Sequence, residues 1–314
     1  MQNILDPAIL FFVFGALAGL VKSNLEIPPA ISRFLSLYLL MALGLKGGFA
    51  LAQSGFTPEV GAGIAAAITL AIVIPLLAYT LLKRFLRGFD AAAVAATYGS
   101  VSAVTFVTAV QYLEHHQIAY GGHMAAAMAL MESPAIIMAV IFANTLRQQS
   151  SLPMGKILHE SFTDGAQLLL LGAMVIGLLT GESGKAAMQP FSGDLFKGML
   201  AFFLLDMGLM TARNLPQVKD QSRWLIAFAF FAPLVHACLA LSMAWALQLP
   251  QGDATLLMVL AASASYIAVP AVLRYAIPEA NPSLYFGLSL GVTFPLNILF
   301  GIPLYAQMAS KVLS

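Results

Sequence analysis

Residues 97–106 read TYGSVSAVTF and residues 262–270 read ASASYIAVP, and the way these two stretches are taken decides the fold. Each lies inside a long apolar run, yet each is rich in small and hydroxylated residues, and the second ends on Pro270. Proline lacks a backbone donor and clashes with the preceding turn, so a helix does not pass through it undisturbed. The chain around them is 314 residues long, 60% hydrophobic and only 9% charged, with a mean hydropathy of +0.87. Soluble chains carry about a quarter charged residues. A chain so poor in charge cannot cover a water-facing surface, and its recurring apolar runs specify an all-α polytopic membrane protein. This excludes a soluble enzyme, a disordered chain and a disulfide scaffold. The single cysteine, Cys238, sits in an apolar run and is expected to be a packed core thiol. A formal net charge of +1 offers no concentrated basic patch, which argues against nucleic acid as a partner. The flank MQNILDP has no Lys or Arg and no cleavage pattern follows it, so the first apolar segment reads as a membrane helix and not a signal peptide.

Each crossing needs about 20 apolar helical residues. Hydropathy and the clusters of Gly, Pro, Asn and charge between runs give ten spans. They are Pro7–Val21, Phe34–Gln53, Val60–Leu82, Asp90–Leu113, Gly121–Leu146, Ser161–Thr180, Phe196–Ala212, Ser222–Leu247, Ala254–Ala276 and Ser283–Ala309. Loops on one side hold Lys22, Arg33, Lys83, Arg84, Arg87, Arg147, Lys156, Arg213, Lys219, Arg223 and Arg274; the other side has Lys185, Lys197 and Lys311. The positive-inside bias places the first group in the cytoplasm and both termini outside. Residues 1–147 then form a first five-helix repeat, 148–160 a cytoplasmic linker, and 161–314 a second repeat of inverted topology. Three alignments support the repeat. Within LGLKGGFALAQ and LLDMGLMTARN, Leu45 lies over Leu205 and Gly48 over Gly208; Ser100-Val-Ser102 lies over Ser263-Ala-Ser265, and Glu132-Ser-Pro134 over Thr293-Phe-Pro295. Inverted repeats let two halves exchange conformations and expose one site alternately to each side, as a carrier requires.

The fourth and ninth spans therefore read as discontinuous helices crossing near the bilayer centre, because backbone freed from helical bonding is tolerated in a membrane only where protein or a water-filled cavity surrounds it. Half-helix N-termini there suit a small anion, and half-helix C-termini with hydroxyls suit a hard cation such as sodium. Small residues that merely let helices pack closely are the competing explanation. Charges within spans face the interior. Glu132 reads as a sodium ligand. Lys46 and Asp206, at matched positions, read as a membrane-buried structural ion pair. His115, His116 and His123 have no convincing metal spacing. The motifs of metalloproteases, serine hydrolases and nucleotide-binding enzymes are missing from the sequence, which argues against an enzyme.

The run LLMVLAASASYIAVPAVLRYAIPEANPSLYFGLSLGVTFPLNILFGIPLY, from Leu256 to Tyr305, together with LGLKGG, GSVSAVT and MESPA in the first half, resembles the sodium-dependent bicarbonate transporter family of cyanobacteria and other bacteria. The resemblance implies a ten-helix, elevator-type carrier of the bacterial inner membrane, a homotrimer, that imports bicarbonate by symport with sodium as the coupling ion and no other cofactor. It further implies an anion site at Gly99, Ser100, Val101, Ser102, Ser263, Ala264 and Ser265, and a sodium site at Thr105, Glu132, Ser263, Thr293 and Asn297. Cyanobacterial members have a longer linker and work with a small PII-like regulator; the short linker here weighs against that partner. A carrier of another small anion or an organic carboxylate is the main alternative, as in the related bile-acid/sodium symporters. A channel or membrane sensor is a more distant one.

Overall fold

The computed structural model describes residues 6–55, 57–146, 165–219 and 221–313. The expected linker at 148–160, the first residues of the sixth span, and Arg147 and Lys156 lie outside the described residues. Among the described residues all regular structure is helical: α1 (Pro7–Leu20), α2 (Pro29–Ser54), α3 (Pro58–Leu82), α4 (Gly88–Gly99), α5 (Ala103–His115), α6 (His123–Leu146), α7 (Gly165–Met188), α8 (Phe196–Lys219), α9 (Arg223–Ala246), α10 (Gln251–Ala262) and α11 (Ala268–Ala276), followed by the long helical run α12 (Pro282–Leu313).

Among the described residues, seven helical runs are long and apolar enough to cross a membrane. The expected sixth and seventh spans fall in one of them, Gly165–Pro216, which departs from helical geometry at Gly181 (φ 54°) and turns through a π-helical stretch at Gln189–Asp194. The region between those two spans is thus helical where a loop was expected. With 14 residues, α1 reaches about 21 Å at 1.5 Å per residue, short of a full bilayer core.

Local chemistry sets the helix starts. The Asp6 carboxylate accepts from the Ala8 amide at 2.8 Å, and Pro7, Pro29, Pro58 and Pro282 occupy first-turn positions where a missing amide is harmless. Ser222 caps α9 and Asn281 caps α12. Within α12, Pro295 and Pro303 each withdraw a donor, and the helix widens into π-turns at Ser289–Thr293 and Asn297–Gly301.

Two parallel pairs, α1 with α8 and α2 with α7, form one layer, with Gly15 and Gly19 meeting Leu205 and Ala212 in turn and Gly44 and Gly48 meeting Leu170 and Met174, and α3–α6 pack with α9–α12 into a second body. The pairs interlock through glycine. A Cβ on Gly48 would overlap the Met174 carbonyl oxygen of α7, and one on Gly208 would overlap the Phe12 carbonyl oxygen of α1. These glycines, aligned in the sequence, make the same kind of contact in the two pairs. The second body holds a cluster of buried alanines, with Ala91, Ala92, Ala93, Ala95 and Ala96 of α4 at 0% exposure. Cys238 corrects an expectation: it is exposed on α9 and not in the core. When a helix is apolar on every face, hydropathy alone cannot distinguish its packed face from its lipid face.

Candidate functional site

The helices α4 and α10 are each 12 residues long and each ends on a serine, Ser100 or Ser263, whose backbone is extended. Breaking a helix strands its last carbonyls and the next segment's first amides. Here each break supplies what the other lacks. The Ser265 amide donates to the Thr97 carbonyl at 2.8 Å, and the Ser102 amide donates to the Ser263 hydroxyl at 3.0 Å, which itself donates to the Leu260 carbonyl at 3.0 Å. Ser102 then caps α5 by accepting from the Thr105 amide at 3.2 Å, and Ser265 accepts from the Val269 amide of α11 at 3.3 Å. The two breaks thus cross and cap one another.

The expected anion residues come together at this crossing. Ser100, Ser102, Ser263 and Ser265 are all buried, and the Ser100 hydroxyl has no hydrogen-bond partner. Val101 and Ala264 belong to the buried apolar clusters, and Gly99 rests against the Pro75 ring of α3. Of the expected sodium residues, Thr105 donates to the Ser102 hydroxyl at 2.9 Å. The Asn297 amide donates to the Ala262 carbonyl at 2.9 Å, and its oxygen accepts from the Tyr305 hydroxyl at 2.9 Å. Thr293 donates to the Ala229 carbonyl at 2.8 Å and so accepts from Tyr98, whose hydroxyl lies 2.6 Å away. Glu132 is directed differently: its carboxylate accepts from Gln167 of α7, at the boundary between the two bodies.

Cavities flank that boundary at opposite ends of α2. One, of about 650 Å³, is lined by Lys46, Gln53, Glu114, Tyr120, Lys185 and Lys197. The other, of about 500 Å³, is lined by Ser32, Arg33, Ser36, Asp206, Arg213 and Tyr266. The expected Lys46–Asp206 pair is therefore not built. Lys46 reaches Glu114 of α5 at 2.9 Å and lies 4.1 Å from the Phe196 ring centroid, while Asp206 sits in the other cavity. The Tyr120 hydroxyl also donates to Glu114, at 3.1 Å; burial, reinforced by that carboxylate, pushes its pKa up.

Sequence reading missed two buried carboxylates. Asp90, in the first turn of α4, accepts from the Asn281 amide ahead of α12, and Asp253, in the first turn of α10, accepts from the Gly121 amide ahead of α6. Their spacing of 163 residues equals that of Ser100 and Ser263, so extending that alignment back to the helix starts would have found them. Tyr98 and Tyr305 were missed because aromatic residues in an apolar run read as packing.

The family model described as the Na+-dependent bicarbonate transporter superfamily matches residues 7–310. No curated protein matches the chain.

Proposed function

The chain belongs to the Na+-dependent bicarbonate transporter superfamily, and from that premise we propose that it is a secondary active symporter that carries bicarbonate inward with sodium through the crossing of the two breaks. The observation that carries this reading is the crossing itself: two extended segments, each completing the other's hydrogen bonds, with the buried Ser100 hydroxyl left over.

The anion would be held by the Ser100 hydroxyl and by first-turn amides of α5, those of Ala103 and Val104, which helical geometry leaves without an intrahelical acceptor. Val101 and Ala264 would shape the site without bonding to it. For sodium, Thr105, Ser263, Thr293 and Asn297 offer oxygens whose lone pairs are only partly used, since a hydroxyl that donates its proton can still accept twice. Glu132 would act at the edge of this set, coupled to Gln167. Bound together, the two ions lower the electrostatic penalty of either in a low-dielectric interior.

The wider architecture follows the same proposal. Ten spans in two inverted repeats would place α1, α2, α7 and α8 as a fixed scaffold, with the second body moving against it as an elevator. The cavity with Arg33 and Arg213 would then open to the cytoplasm and the one with Lys46 to the outside. In this reading the carrier is a homotrimer in a bacterial inner membrane.

The test is uptake of labelled bicarbonate into liposomes holding the purified protein, with an inward sodium gradient or with choline replacing sodium. Sodium-dependent uptake is expected. Uptake indifferent to sodium, or transport of another anion in place of bicarbonate, would overturn the proposal.

A further inference from the structure

Asp206 is only 5% exposed, and its Oδ2 has no hydrogen-bond partner. A carboxylate in that position is expensive unless a proton or a cation meets it. The lysine expected to neutralise it is committed to Glu114. The Ser32 hydroxyl interacts with it, and Ser36 follows one turn later on the same face of α2, lining the same cavity. Tyr266, from the second break, also lines it; its hydroxyl is buried beside Ser102 and makes no hydrogen bond of ordinary geometry. Two buried oxygens that make no hydrogen bond of ordinary geometry and two further hydroxyls thus line one cavity of about 500 Å³, ample for a partly hydrated ion when a water takes roughly 30 Å³.

Arg213 adds a favourable charge near Asp206 but makes no hydrogen bond to it. It lies seven residues further along α8, about 10 Å by helical rise. Its exposed guanidinium donates to the Leu25 carbonyl at 3.1 Å, at the mouth with Arg33 and Glu26.

We propose that Asp206, with the hydroxyls of Ser32, Ser36 and Tyr266, forms a second site for a monovalent cation, at which sodium pauses between the crossing and the arginine-bearing end of the cavity. The proposal rests on the sodium-coupled reading of the crossing. Because Tyr266 belongs to the break, the two sites share a wall, and a cation leaving the crossing meets a full negative charge before it meets water.

The test is the thermal unfolding midpoint of the purified full chain, titrated with sodium chloride against choline chloride at constant ionic strength. Losing a charged ligand is expected to raise the sodium concentration for half-maximal stabilisation in Asp206→Asn by about tenfold or more. Asp206→Glu should keep a midpoint near wild type. Tyr266→Phe removes one hydroxyl with little risk to folding and should shift the midpoint by about threefold. Wild-type midpoints in both Asp206→Asn and Tyr266→Phe would overturn the site, as would stabilisation of the wild type by lowered pH with no response to sodium. Bicarbonate uptake separates the two proposals. Sodium-driven uptake in the wild type alongside unshifted midpoints removes this site alone, whereas uptake indifferent to sodium removes the symport reading.

Discussion

Asn297 is the residue whose removal the crossing should feel most. Its side-chain amide donates to the carbonyl of Ala262, the last residue of α10, and its oxygen accepts from the Tyr305 hydroxyl, both at 2.9 Å. That carbonyl is one of the four that a helix end leaves without an intrahelical donor. In Asn297→Leu the side chain keeps its branching and approximate size, so the effect falls on hydrogen bonding more than on volume. Two buried polar groups lose their partner, at about 1–3 kcal/mol each, giving roughly 2–6 kcal/mol in all. Pairs measured inside membranes average nearer 0.6 kcal/mol because the disrupted state finds substitutes. The low end is thus the conservative expectation. At about 1.5 °C per kcal/mol for a chain of 314 residues, the thermal midpoint in detergent should fall by about 3 °C or more. Tyr305→Phe, which breaks only one of the two bonds, should fall by about half as much or less. If Asn297→Leu unfolds within about 1 °C of wild type, the reasoning that Asn297 caps the broken helix is refuted.

Three further outcomes follow from the same geometry. Ser100→Ala removes a hydroxyl with no partner, so stability should change by less than about 0.5 kcal/mol, while sodium-driven uptake falls; unchanged uptake would leave Ser100 as packing. A double-mutant cycle on Lys46→Met and Glu114→Gln, read by thermal unfolding, should give a coupling of about 0.2–1 kcal/mol that shrinks with added salt, because the side chains are 21% and 31% exposed; a coupling that salt does not change would mean the pair is shielded from solvent. Gly208→Leu should abolish monodisperse protein on size-exclusion chromatography, because its Cβ would overlap backbone that cannot rotate away. Gly198→Ala, on the same helix with nothing within 4 Å of the new methyl, should be indistinguishable from wild type.

Hydropathy and composition made the helical runs and both breaks legible, because Gly, Ser and Thr stand out against an apolar background. The partners of buried charges were a different matter. Lys46 and Asp206 are matched in sequence, and matching suggested pairing. Under the proposed inverted arrangement, matched residues would go to opposite ends of the molecule unless they lay on the symmetry axis; the two residues do line separate cavities. Asp90 and Asp253 escaped notice because charges at the edges of apolar runs are ordinarily counted as loop residues, whereas both are buried, at 4% and 3% exposure. Cys238 was misplaced for the converse reason, since an apolar neighbourhood is no sign of burial where the solvent is lipid.

The separation of Lys46 from Asp206 bears on how an uncharged crossing could handle two opposite ions. The breaks contribute backbone dipoles and hydroxyls, so selectivity for sign must come from what surrounds them. Lys46, with Lys185, Lys197 and Glu114, lines one cavity, and Asp206, with Arg33 and Arg213 also in the lining, the other. Lys46 is partly neutralised by Glu114, so the first cavity offers an anion a modest attraction that it can leave toward the crossing. Asp206 has an oxygen without a hydrogen-bond partner and repels the anion while favouring the cation. Under the proposed symport, a lysine on one side of the crossing and an aspartate on the other would therefore give the two faces unequal apparent affinities. Those affinities remain bound by the overall equilibrium, so the charges can set how readily each ion loads and leaves on each side, while the ion gradients alone set the direction of net transport.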